Sequence, residues 1–576
     1  MKYSTLLKKL CLTALITSFP NDGMLLRCFN ITITVSKKKM QGHYQFNGTM
    51  LLGSFLGSTP MELAYIIKKY IMCSSIFSML FNAIEVVNPG FINFLISLRC
   101  LCKNVGKQVF DLRHGVAVRK FPRKVIIDYS SPNIAKQLHV GHLRTTVIGD
   151  CLSRFFYYKG YVVVPLNHLG DWGTNFGLVM AYIRKFGLVG SFSNITELGD
   201  IYQKAKALYK EDSIFADSTH KEVLLLQKGD VKTTGIWKII TNSSLQQFNK
   251  IYKVLNVYIH VRGESYYNYL LSNIVCYLEC INLVTKSCGS KYIYLQDFYN
   301  RLGKPLPLII EKSGGIFNYN TTDIAALFHR IFTERGAIII YITDVGQDLH
   351  FKMLFILAQY SGFLCKHKPR VEHVSCGLVL KDDGTKLKTR SGYAEKLEAL
   401  IQDTIEGVDK MLITRDLYKN TVKRKLYSVY LGVNSIRYNE LMVNRTSDYV
   451  YNIDRMLNFD GNTLIFVLYT YARLQSIKRV SSRKIGTIIL RNTYEEELGF
   501  FLCRFPCIVD KVICSRSPHK IVEYLYELSR VFNVFFDNCK IFNGLYEDTR
   551  VSLCYAVSNI MYECFFLLGI NPTNRI

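Results

Sequence analysis

Residues 125–142 read VIIDYSSPNIAKQLHVGH, and this stretch decides the fold. Its first residues, Val125 to Ile127, form an apolar run typical of a buried parallel strand, which the polar turn at 130–133 breaks. A helix with an apolar face follows and stops at Gly160, and residues 161–166 are apolar again. Strand, turn, helix and strand in this order predict a βαβ unit.

The turn before the helix has the features of a phosphate site. In an open parallel sheet, ligands bind at the carboxyl ends of the strands, and a helix N-terminus offers free N–H groups to phosphates. Gly141 lets a nucleotide approach the backbone, and the imidazoles of His139 and His142 can donate hydrogen bonds to phosphate oxygens. The alternative is an ordinary helix start with two surface histidines.

A second α/β half is predicted further along the chain. Its segments are a strand at Leu308 to Ile310, a helix capped by Thr321 and Thr322 and ended by Gly336, a strand at 337–342, a helix at 350–360 and a strand at 371–380. The stretch between the halves, about 186–300, is interpreted as an insertion. Together these segments predict a catalytic domain over residues 113–395.

The two ends of the chain have other patterns. Beyond residue 395 long segments with helical periodicity dominate, at 464–480, 519–534 and 548–568, which predicts an all-helical domain over 396–576. Near the other end, a basic stretch from Arg113 to Lys124 separates a first domain, residues 40–112, from the βαβ unit.

Length and charge narrow the class of protein. A chain of 576 residues with 49% hydrophobic content suggests about three domains. The formal charge is +27, from 72 Lys and Arg against 45 Asp and Glu, which predicts a large anionic partner. Nucleic acid is the first choice, a membrane surface the second, and a generally basic proteome the alternative that charge leaves open.

The 17 cysteines form no metal-binding pattern. There is no CxxC, and close pairs such as Cys100 with Cys102 and Cys276 with Cys280 belong to no four-ligand zinc set. We interpret them as free thiols in a reducing compartment. No protein-bound zinc and no other metal site is therefore expected.

Residues 1–39 are interpreted as an extension or a targeting segment. Lys2, Lys8 and Lys9 precede a short apolar run, Leu10 to Phe19, which is similar to a signal peptide but too short to span a bilayer. An ordinary first helix or strand is the alternative. We expect a cytoplasmic protein, or a plastid-type or mitochondrial one if the segment is a targeting signal, and no later segment predicts a membrane span.

The flanks of the HVGH tetrad narrow the family. The stretch SSPNIAKQLHVGHLR (130–144) resembles class I aminoacyl-tRNA synthetases, whose HIGH signature matches 139–142, and within that class it resembles arginyl-tRNA synthetase. Further matches run in order: GHYQFN (42–47), NPGFINF (88–94), NHLGDWGTNFG (167–177), RGESYYN (262–268), FNYNTTDIAAL (317–327), YITDVGQDLHF (341–351), GLVLKDDGTKLKTRSG (377–392) and FDNCKIF (536–542). Each short match is weak alone, but their collinear order over residues 42–576 is a strong resemblance.

The resemblance implies a fold and a reaction. The fold is an α/β Rossmann-type catalytic domain with an inserted region, an N-terminal α+β extra domain and a C-terminal all-α anticodon-binding domain. The reaction is that of an arginine–tRNA ligase, which activates L-arginine with ATP to arginyl-adenylate and transfers the arginyl group to the 3′ end of tRNA for arginine. Mg2+ accompanies ATP, and the protein is expected to be a monomer.

The resemblance also supplies candidate site residues. The residues expected at arginine are Asp128, Ser131, Asn133, His142, Tyr319, Asp323 and Gln347. Those expected at ATP are His139, Gly141, His142, His350 and Lys386. A carboxylate such as Asp323 suits the planar guanidinium of the substrate, although an aspartate near a helix start can instead satisfy backbone donors.

The lysines depart from the usual class I pattern. In place of a KMSKS loop the chain has TKLKTRS at 385–391, and many arginyl enzymes lack the signature too. Lys136, three residues before His139, resembles a family lysine that substitutes for it. The expected catalytic set is therefore His139, Gly141, His142, Lys136 and Lys388, with the two lysines sharing phosphate neutralisation, unless Lys386 and Lys388 belong to a solvated basic loop.

The resemblance places tRNA on both outer domains. The expected contacts are Tyr44, Asn47, Phe91 and Asn93 in the N-terminal domain, and Arg473 and Asn538 in the helical domain. Phe536 could stack on an anticodon base or belong to the helical core. Three other functions remain open: a cysteinyl enzyme, which needs a zinc site; a catalytically silent tRNA-binding protein; and a nucleotidyl-transferring cofactor-synthesis enzyme, which needs no helical tail.

Overall fold

The computed structural model describes residues 2–29, 31–36, 42–134, 136–188, 195–300, 302–364, 369–380, 384–385, 395–416, 420–481 and 485–574. Within these ranges the chain forms an N-terminal α+β domain, a central α/β domain and a C-terminal helical domain. This is the architecture that the sequence predicts.

The N-terminal domain packs helices against a small sheet. Its elements are α1 (Tyr3–Ser18), α2 (Gly23–Cys28), β1 (Ile33–Val35), β2 (Tyr44–Phe46), α3 (Gly48–Leu56), α4 (Pro60–Met72), α5 (Ile76–Leu80), β3 (Phe81–Val87), β4 (Phe91–Ile96) and α6 (Leu98–Phe110). The strand order is β1-β2-β4-β3, and all pairs are antiparallel.

The apolar run at Leu10 to Phe19 lies mostly in α1, which is built into this domain. Tyr3, Leu7 and Leu15 are buried, α1 packs on α4, and β1, which follows α2, pairs with β2. The segment therefore has the arrangement of an ordinary first helix. The domain boundary expected at residue 39 falls between two paired strands of one sheet, so the structure moves it towards the start of the chain.

The central domain is built on a five-stranded parallel sheet. Its elements are β5 (Lys124–Asp128), α7 (Val140–Tyr158), β6 (Val162–Asn167), α8 (Thr174–Lys185), α9 (Ile195–Glu211), α10 (Ser213–Gln227), α11 (Val231–Val254), β7 (His260–Val261), α12 (Asn268–Cys280), β8 (Thr285–Ser287), β9 (Ser290–Tyr299), β10 (Pro305–Lys312), β11 (Ile316–Phe317), α13 (Tyr319–Phe328), β12 (Ile338–Asp344), α14 (Asp348–Tyr360), β13 (Arg370–Cys376) and β14 (Val379–Leu380). The sheet order is β13-β12-β5-β6-β7. The chain runs outward from β5 in one direction and from β12 in the other, so the switch point, where ligands bind in such sheets, lies between these two strands.

The insertion between β6 and β12 contains helices and an antiparallel sheet of order β11-β10-β9-β8. Leu308 to Ile310 belong to β10 of this sheet, which corrects their prediction as a strand of the second α/β half. A short apolar run does not reveal which sheet it joins. The insertion also continues past residue 300 to Phe317.

The start of α13 differs from the prediction as well. Asn318 is its N-cap, and the side chain of Asn318 accepts the N–H of Tyr319 at 2.9 Å. Thr321 and Thr322 therefore lie in the first turn and do not cap the helix, because an earlier residue already has the capping conformation and contact.

The C-terminal domain is helical. Its elements are α15 (Leu397–Thr414), α16 (Thr421–Met442), β15 (Tyr449–Val450), α17 (Ile453–Met456), α18 (Leu464–Val480), α19 (Thr493–Ser515), α20 (His519–Asn538) and α21 (Glu547–Leu568). By length and composition α21 could cross a membrane, as could the bent pair of α3 and α4. In α21, however, 72% of the apolar stretch is buried inside the fold, which is typical of a core helix.

Helix α7 is the place where the central and helical domains meet. Most of its residues are buried, and α15, α16, α19 and α21 pack on it. Arg437 of α16 is fully buried; its Nη2 donates to Asp150 Oδ2 of α7 at 2.6 Å and to the carbonyl of Leu568, at the end of α21, at 2.9 Å. One guanidinium thus joins the helix that starts at HVGH to two helices of the other domain.

Candidate active site

A cleft of about 750 Å3 opens at the carboxyl ends of β5 and β12. Every residue expected at arginine or ATP that the structure describes lines it: Asp128, Ser131, Asn133, His139, Gly141, His142, Tyr319, Asp323, Gln347 and His350. Lys386 and Lys388 lie outside the described residues.

The two histidines at the start of α7 fix each other. His139 is the N-cap: its Nδ1 accepts the N–H of Gly141 at 3.1 Å, and its own backbone N–H donates to Nδ1 of His142 at 3.1 Å. The two rings lie 3.8 Å apart. Because each Nδ1 is an acceptor, each neutral ring carries its proton on Nε2.

Both imidazoles are neutral at physiological pH. Burial lowers the pKa of His139, and nearby Lys136 lowers it further. Burial, together with His139, lowers the pKa of His142 to about 3. A Cβ on Gly141 would lie 2.9 Å from Cε1 of His139, so any larger residue there would displace that ring. The helix start therefore presents neutral N–H donors on a narrow, fixed surface.

The turn after β5 is held in an unusual conformation. Ser130 and Ser131 have φ of 71° and 45°, in the left-handed region that residues other than glycine seldom adopt. The Ser130 hydroxyl lies 2.8 Å from that of Tyr252, and the N–H of Ser131 donates to Asn167 Oδ1 at 3.0 Å. The hydroxyl of Ser131 donates to Asp128 Oδ1 at 2.8 Å. These bonds offset the strain and direct the turn towards the cleft.

Asp128 has a buried cationic partner. Nη2 of Arg330, which is fully buried, lies 2.7 Å from Asp128 Oδ2, and the guanidinium stands 4.9 Å from the centre of the Tyr341 ring. Sequence reasoning did not find Arg330, which lies in a π-helical turn after α13. Asp128 is therefore occupied on both oxygens and orients Ser131.

Asp323, on the wall opposite α7, lies between two histidines. Its Oδ2 is 2.7 Å from His350 Nε2, and its Oδ1 is 3.4 Å from His168 Nε2. Burial opposes ionisation of this carboxyl, but the contacts with His168 and His350 outweigh burial and hold the pKa of Asp323 well below its usual range. For His350, burial opposes protonation, and its hydrogen bond to Asp323 raises its pKa above the ordinary value. The Asp323 oxygens thus face side chains in the cleft, and the capping role belongs to Asn318.

Two further charged residues line the cleft that sequence reasoning overlooked. Glu264 lies in the matched segment RGESYYN; burial raises its pKa well above the usual value, and the nearby carboxylates of Asp323 and Asp171 add to the effect. Lys312, at the end of β10, approaches Thr174 Oγ1 at 3.4 Å. The sequence did offer a signal for Glu264, because it is a carboxylate within the matched segment RGESYYN.

Lys136 is near the helix start but does not line the cleft. Its ammonium stands 4.8 Å from the centre of the Tyr202 ring of α9, and burial lowers its pKa. It is close enough to lower the pKa of His139. Lys136 thus packs against an insertion whose position the sequence did not reveal, and its share in phosphate neutralisation stays a prediction.

The tRNA contacts expected in the N-terminal domain are largely interior. Tyr44 and Asn93 are 3% and 2% exposed, and Asn93 Oδ1 accepts the side-chain N–H of Gln45 at 3.0 Å. Burial corrects the expectation that these two side chains contact tRNA. Asn47 and Phe91 are half-buried.

In the helical domain, Arg473 lies in a cluster of aromatic and polar side chains at the surface. The Arg473 guanidinium stands 4.6 Å from the Phe536 ring centre and 5.1 Å from that of Tyr469, and it donates to Asn533 Oδ1 at 3.3 Å. Tyr469 is exposed and Phe536 half-buried, so the two interpretations of Phe536, surface and core, both describe part of its environment. Asn538 is exposed at the end of α20.

Comparisons with known proteins agree with this geometry along the whole chain. Residues 110–453 match the family described as tRNA synthetases class I (R), catalytic domain; residues 467–576 match the DALR anticodon binding domain; and residues 7–96 match the arginyl tRNA synthetase N terminal domain.

Relatives and solved structures extend over nearly complete chains. The chain is 39% identical over 569 residues to the arginine–tRNA ligase of Protochlamydia amoebophila, covering 97% of each protein, and 37% identical over 577 residues to that of Chlamydia felis, covering 99% of each. It superposes on the crystal structure of arginyl-tRNA synthetase from Plasmodium falciparum with a TM-score of 0.85 at 29% identity, covering 100% of both chains. The Thermus thermophilus arginyl-tRNA synthetase gives a TM-score of 0.80 at 18% identity, which supports the fold.

Proposed function

The chain belongs to the arginyl-tRNA synthetase family, and we propose that its cleft holds arginine between Asp323 and the turn after β5, with ATP at the start of α7. It is an arginine–tRNA ligase of class I, which uses ATP to activate arginine and joins the arginyl group to tRNA. The observation that carries the proposal is Asp323, an ionised carboxylate directed into a cleft whose opposite wall is the HVGH helix start.

Asp323 and Glu264 are the proposed partners of the guanidinium. A planar guanidinium pairs with a carboxylate through two parallel N–H···O bonds, and Asp323 already accepts such donors from His350. The guanidinium would take the place of that imidazole. Burial raises the pKa of Glu264 and so favours its neutral form in the empty cleft; an arriving guanidinium would favour the ionised form, so that two carboxylates enclose one cation. Tyr319, whose ring centre is 5.5 Å from that of His350, closes the same end of the pocket.

The other end of the amino acid is assigned to the turn after β5. Ser131 and Asn133 in this turn, and Gln347 after β12, line the cleft. We propose that they offer hydroxyl and amide groups to the α-amino and carboxylate groups of the substrate. Asp128 acts through Ser131, because both of its oxygens are already engaged. The strained turn holds these groups in place before the substrate binds.

The helix start is assigned to ATP. In adenylate formation a carboxylate oxygen of arginine attacks the α-phosphorus, the bond from that phosphorus to the bridging oxygen breaks, and pyrophosphate leaves with the electron pair. Negative charge develops on the phosphate oxygens in this step. The Nε2–H groups of His139 and His142 and the free N–H groups of the first turn of α7 are fixed donors that stabilise it, and Gly141 leaves room for the phosphates.

Mg2+ is proposed to enter with ATP. Among the described residues, no three His, Cys, Asp or Glu side chains form a group that could hold a metal ion. We therefore propose that the phosphates of ATP supply most of the negatively charged ligands of the ion. Lys386 and Lys388 remain proposed contributors to phosphate neutralisation, and Lys136 would have to leave Tyr202 to share that role. Exchange rates of Lys136→Ala and Lys388→Ala variants would separate the two lysines.

Transfer RNA is the large anionic partner that the charge of +27 predicts. In the helical domain we assign anticodon contacts to Arg473, Asn538 and the adjacent aromatic rings, which offer a cation and stacking surfaces. We further propose a monomer in the cytoplasm. The free state of the 16 cysteines that the structure describes supports a reducing compartment, and sedimentation and imaging of the tagged protein would test both statements.

The decisive experiment is aminoacylation by the purified protein with tRNA, ATP and each of the twenty amino acids in turn. Arginine alone should be charged. Equal charging with another amino acid, or none with arginine, would overturn the assignment, and the helical-domain variant Arg473→Ala should raise the KM for tRNA while leaving the KM for arginine unchanged.

A further inference from the structure

Residues 444–449, which follow α16, contact the helix that starts at HVGH. Arg144, two residues after His142, is 1% exposed. Its Nη1 donates to the carbonyl of Ser447 at 2.7 Å and its Nη2 to that of Asn444 at 2.9 Å. Such a fork of two bonds fixes both the distance and the orientation of the segment relative to α7.

A buried carboxylate completes the contact. The Arg144 guanidinium stands 5.2 Å from the centre of the Tyr449 ring, and the hydroxyl of Tyr449 donates to Oε1 of Glu440 in α16. Glu440 is fully buried, and its Oε2 has no hydrogen-bond partner among the described residues. An ionised carboxylate buried in this way is costly, and the bond it accepts from Tyr449 ties α16 to the segment that holds Arg144.

The same segment contacts the end of the parallel sheet and the chain that follows it: Nη1 of Arg445 donates to the carbonyl of Ser375 in β13 at 2.8 Å. Tyr449 and Val450 form β15, which pairs with Val379 and Leu380 of β14, and Asp448 Oδ1 accepts the N–H of Leu378 at 2.6 Å. β14 and β15 form a separate two-stranded sheet. In the chain β14 follows β13, the neighbour of β12, and β12 ends at the cleft. The 444–449 segment therefore connects the two walls of the cleft from behind: α7 on one side and the end of the sheet on the other.

We propose that Arg144 and Glu440 are positioning residues for adenylate formation, which hold the HVGH helix start at a fixed distance from the sheet through Tyr449. This inference rests on the proposed placement of ATP at α7. Neither residue touches a substrate; Glu440 fixes Tyr449, Tyr449 and Arg144 fix α7, and α7 carries the two imidazole donors. A displacement of about 1 Å at such donors can lower a rate by about 100-fold, so partial loosening should be visible in kcat.

The test compares two conservative variants with a matched control in arginine-dependent ATP–pyrophosphate exchange with tRNA present. Glu440→Gln keeps the shape but removes the charge, and Tyr449→Phe removes one hydroxyl. In each, kcat should fall about tenfold while the KM for arginine stays within twofold, because the Asp323 pocket lies on other elements. The control is Glu495→Gln, a fully buried carboxylate paired with Arg550 at 2.8 Å in the helical domain, which should lower the melting temperature and leave kcat unchanged.

The proposal is overturned if both variants keep kcat within twofold of the wild type, or if kcat and the KM for arginine worsen in parallel, as for general loss of structure. If Glu440→Gln does not fold, Tyr449→Phe decides alone. Arg144→Lys, which keeps the charge but cannot reach both carbonyls, should lower kcat as well. Failure of the proposed function is distinguishable, since the wild type itself would then show no arginine-dependent exchange.

Discussion

Replacement of Asp323 by alanine should abolish selective binding of arginine and leave ATP binding intact. The carboxylate is ionised, nearly enclosed and hydrogen-bonded, and truncation of one partner of such a buried charge pair costs about 2–5 kcal/mol. At 1.4 kcal/mol for each factor of ten, this corresponds to roughly 30-fold to several thousand-fold weaker binding. Because Asp323 must first release His350 and His168, the lower part of that range applies, and we expect the Kd for arginine to rise about 100-fold.

Isothermal titration of arginine into the purified variant measures this change, and exchange kinetics give the KM for ATP, which should stay within twofold. The matched control is Asp409→Ala, which removes an ion pair with Arg424 of 3.0 Å in the helical domain, outside the cleft. An unchanged arginine affinity in the Asp323 variant would refute the placement of the guanidinium. A parallel loss of ATP binding would show that the two substrate ends are assigned to the wrong walls.

Three further results are expected. Gly141→Ala should lower kcat for adenylate formation about tenfold and leave arginine affinity unchanged, because the added Cβ would displace the ring of His139. A wild-type rate in this variant would show that the ring is free to move. Arginine binding should release protons, because burial raises the pKa of Glu264 and the bound guanidinium favours the ionised form of this carboxyl. Calorimetry in buffers of different ionisation enthalpy should detect the release in the wild type and less of it in Glu264→Gln. Identical binding heats in all buffers would contradict the prediction. Burial raises the pKa of Glu440 from 4.5 to about 7, against the opposing effect of the Arg144 charge. The contribution of protonated Glu440 to folding stability is therefore full below pH 4.5 and is lost as pH rises through 7. Thermal midpoints of Glu440→Gln should depend less on pH over this range than those of the wild type, and equal pH dependence of the two would count against the raised pKa.

Local patterns predicted the part of the fold that carries the phosphate site. The apolar run of β5, the turn and the periodic face of α7 are consecutive in the chain, so their physics is visible in one window of sequence. The two histidines are three residues apart on a helix start, and their mutual contact follows from that spacing. For this reason the placement of His139, Gly141 and His142 in the cleft agrees with expectation.

Contacts between distant segments were not predictable in the same way. Arg330 meets Asp128 only because the second half of the sheet folds back onto the first, and no local pattern encodes that approach. Lys136 packs on a helix of the insertion for the same reason. Tyr44 is different: in the strand YQF it alternates with Gln45 and shares a face with Phe46, so period-two alternation already indicated an inward side chain.

The burial of α7 decides how such a chain can be divided. A fragment that ended near residue 395 would keep the HVGH turn, yet it would uncover Phe156, now beneath the guanidinium of Arg516. It would also lose Arg437, which lies 287 positions from Asp150, and leave Arg154 of the same helix as the remaining partner of that carboxylate. The newly exposed apolar surface and the loss of the buried Arg437–Asp150 ion pair would make that fragment prone to aggregation. The catalytic half is thus no self-sufficient module. Substitutions in the last helices can therefore lower the activity of the cleft without contacting it.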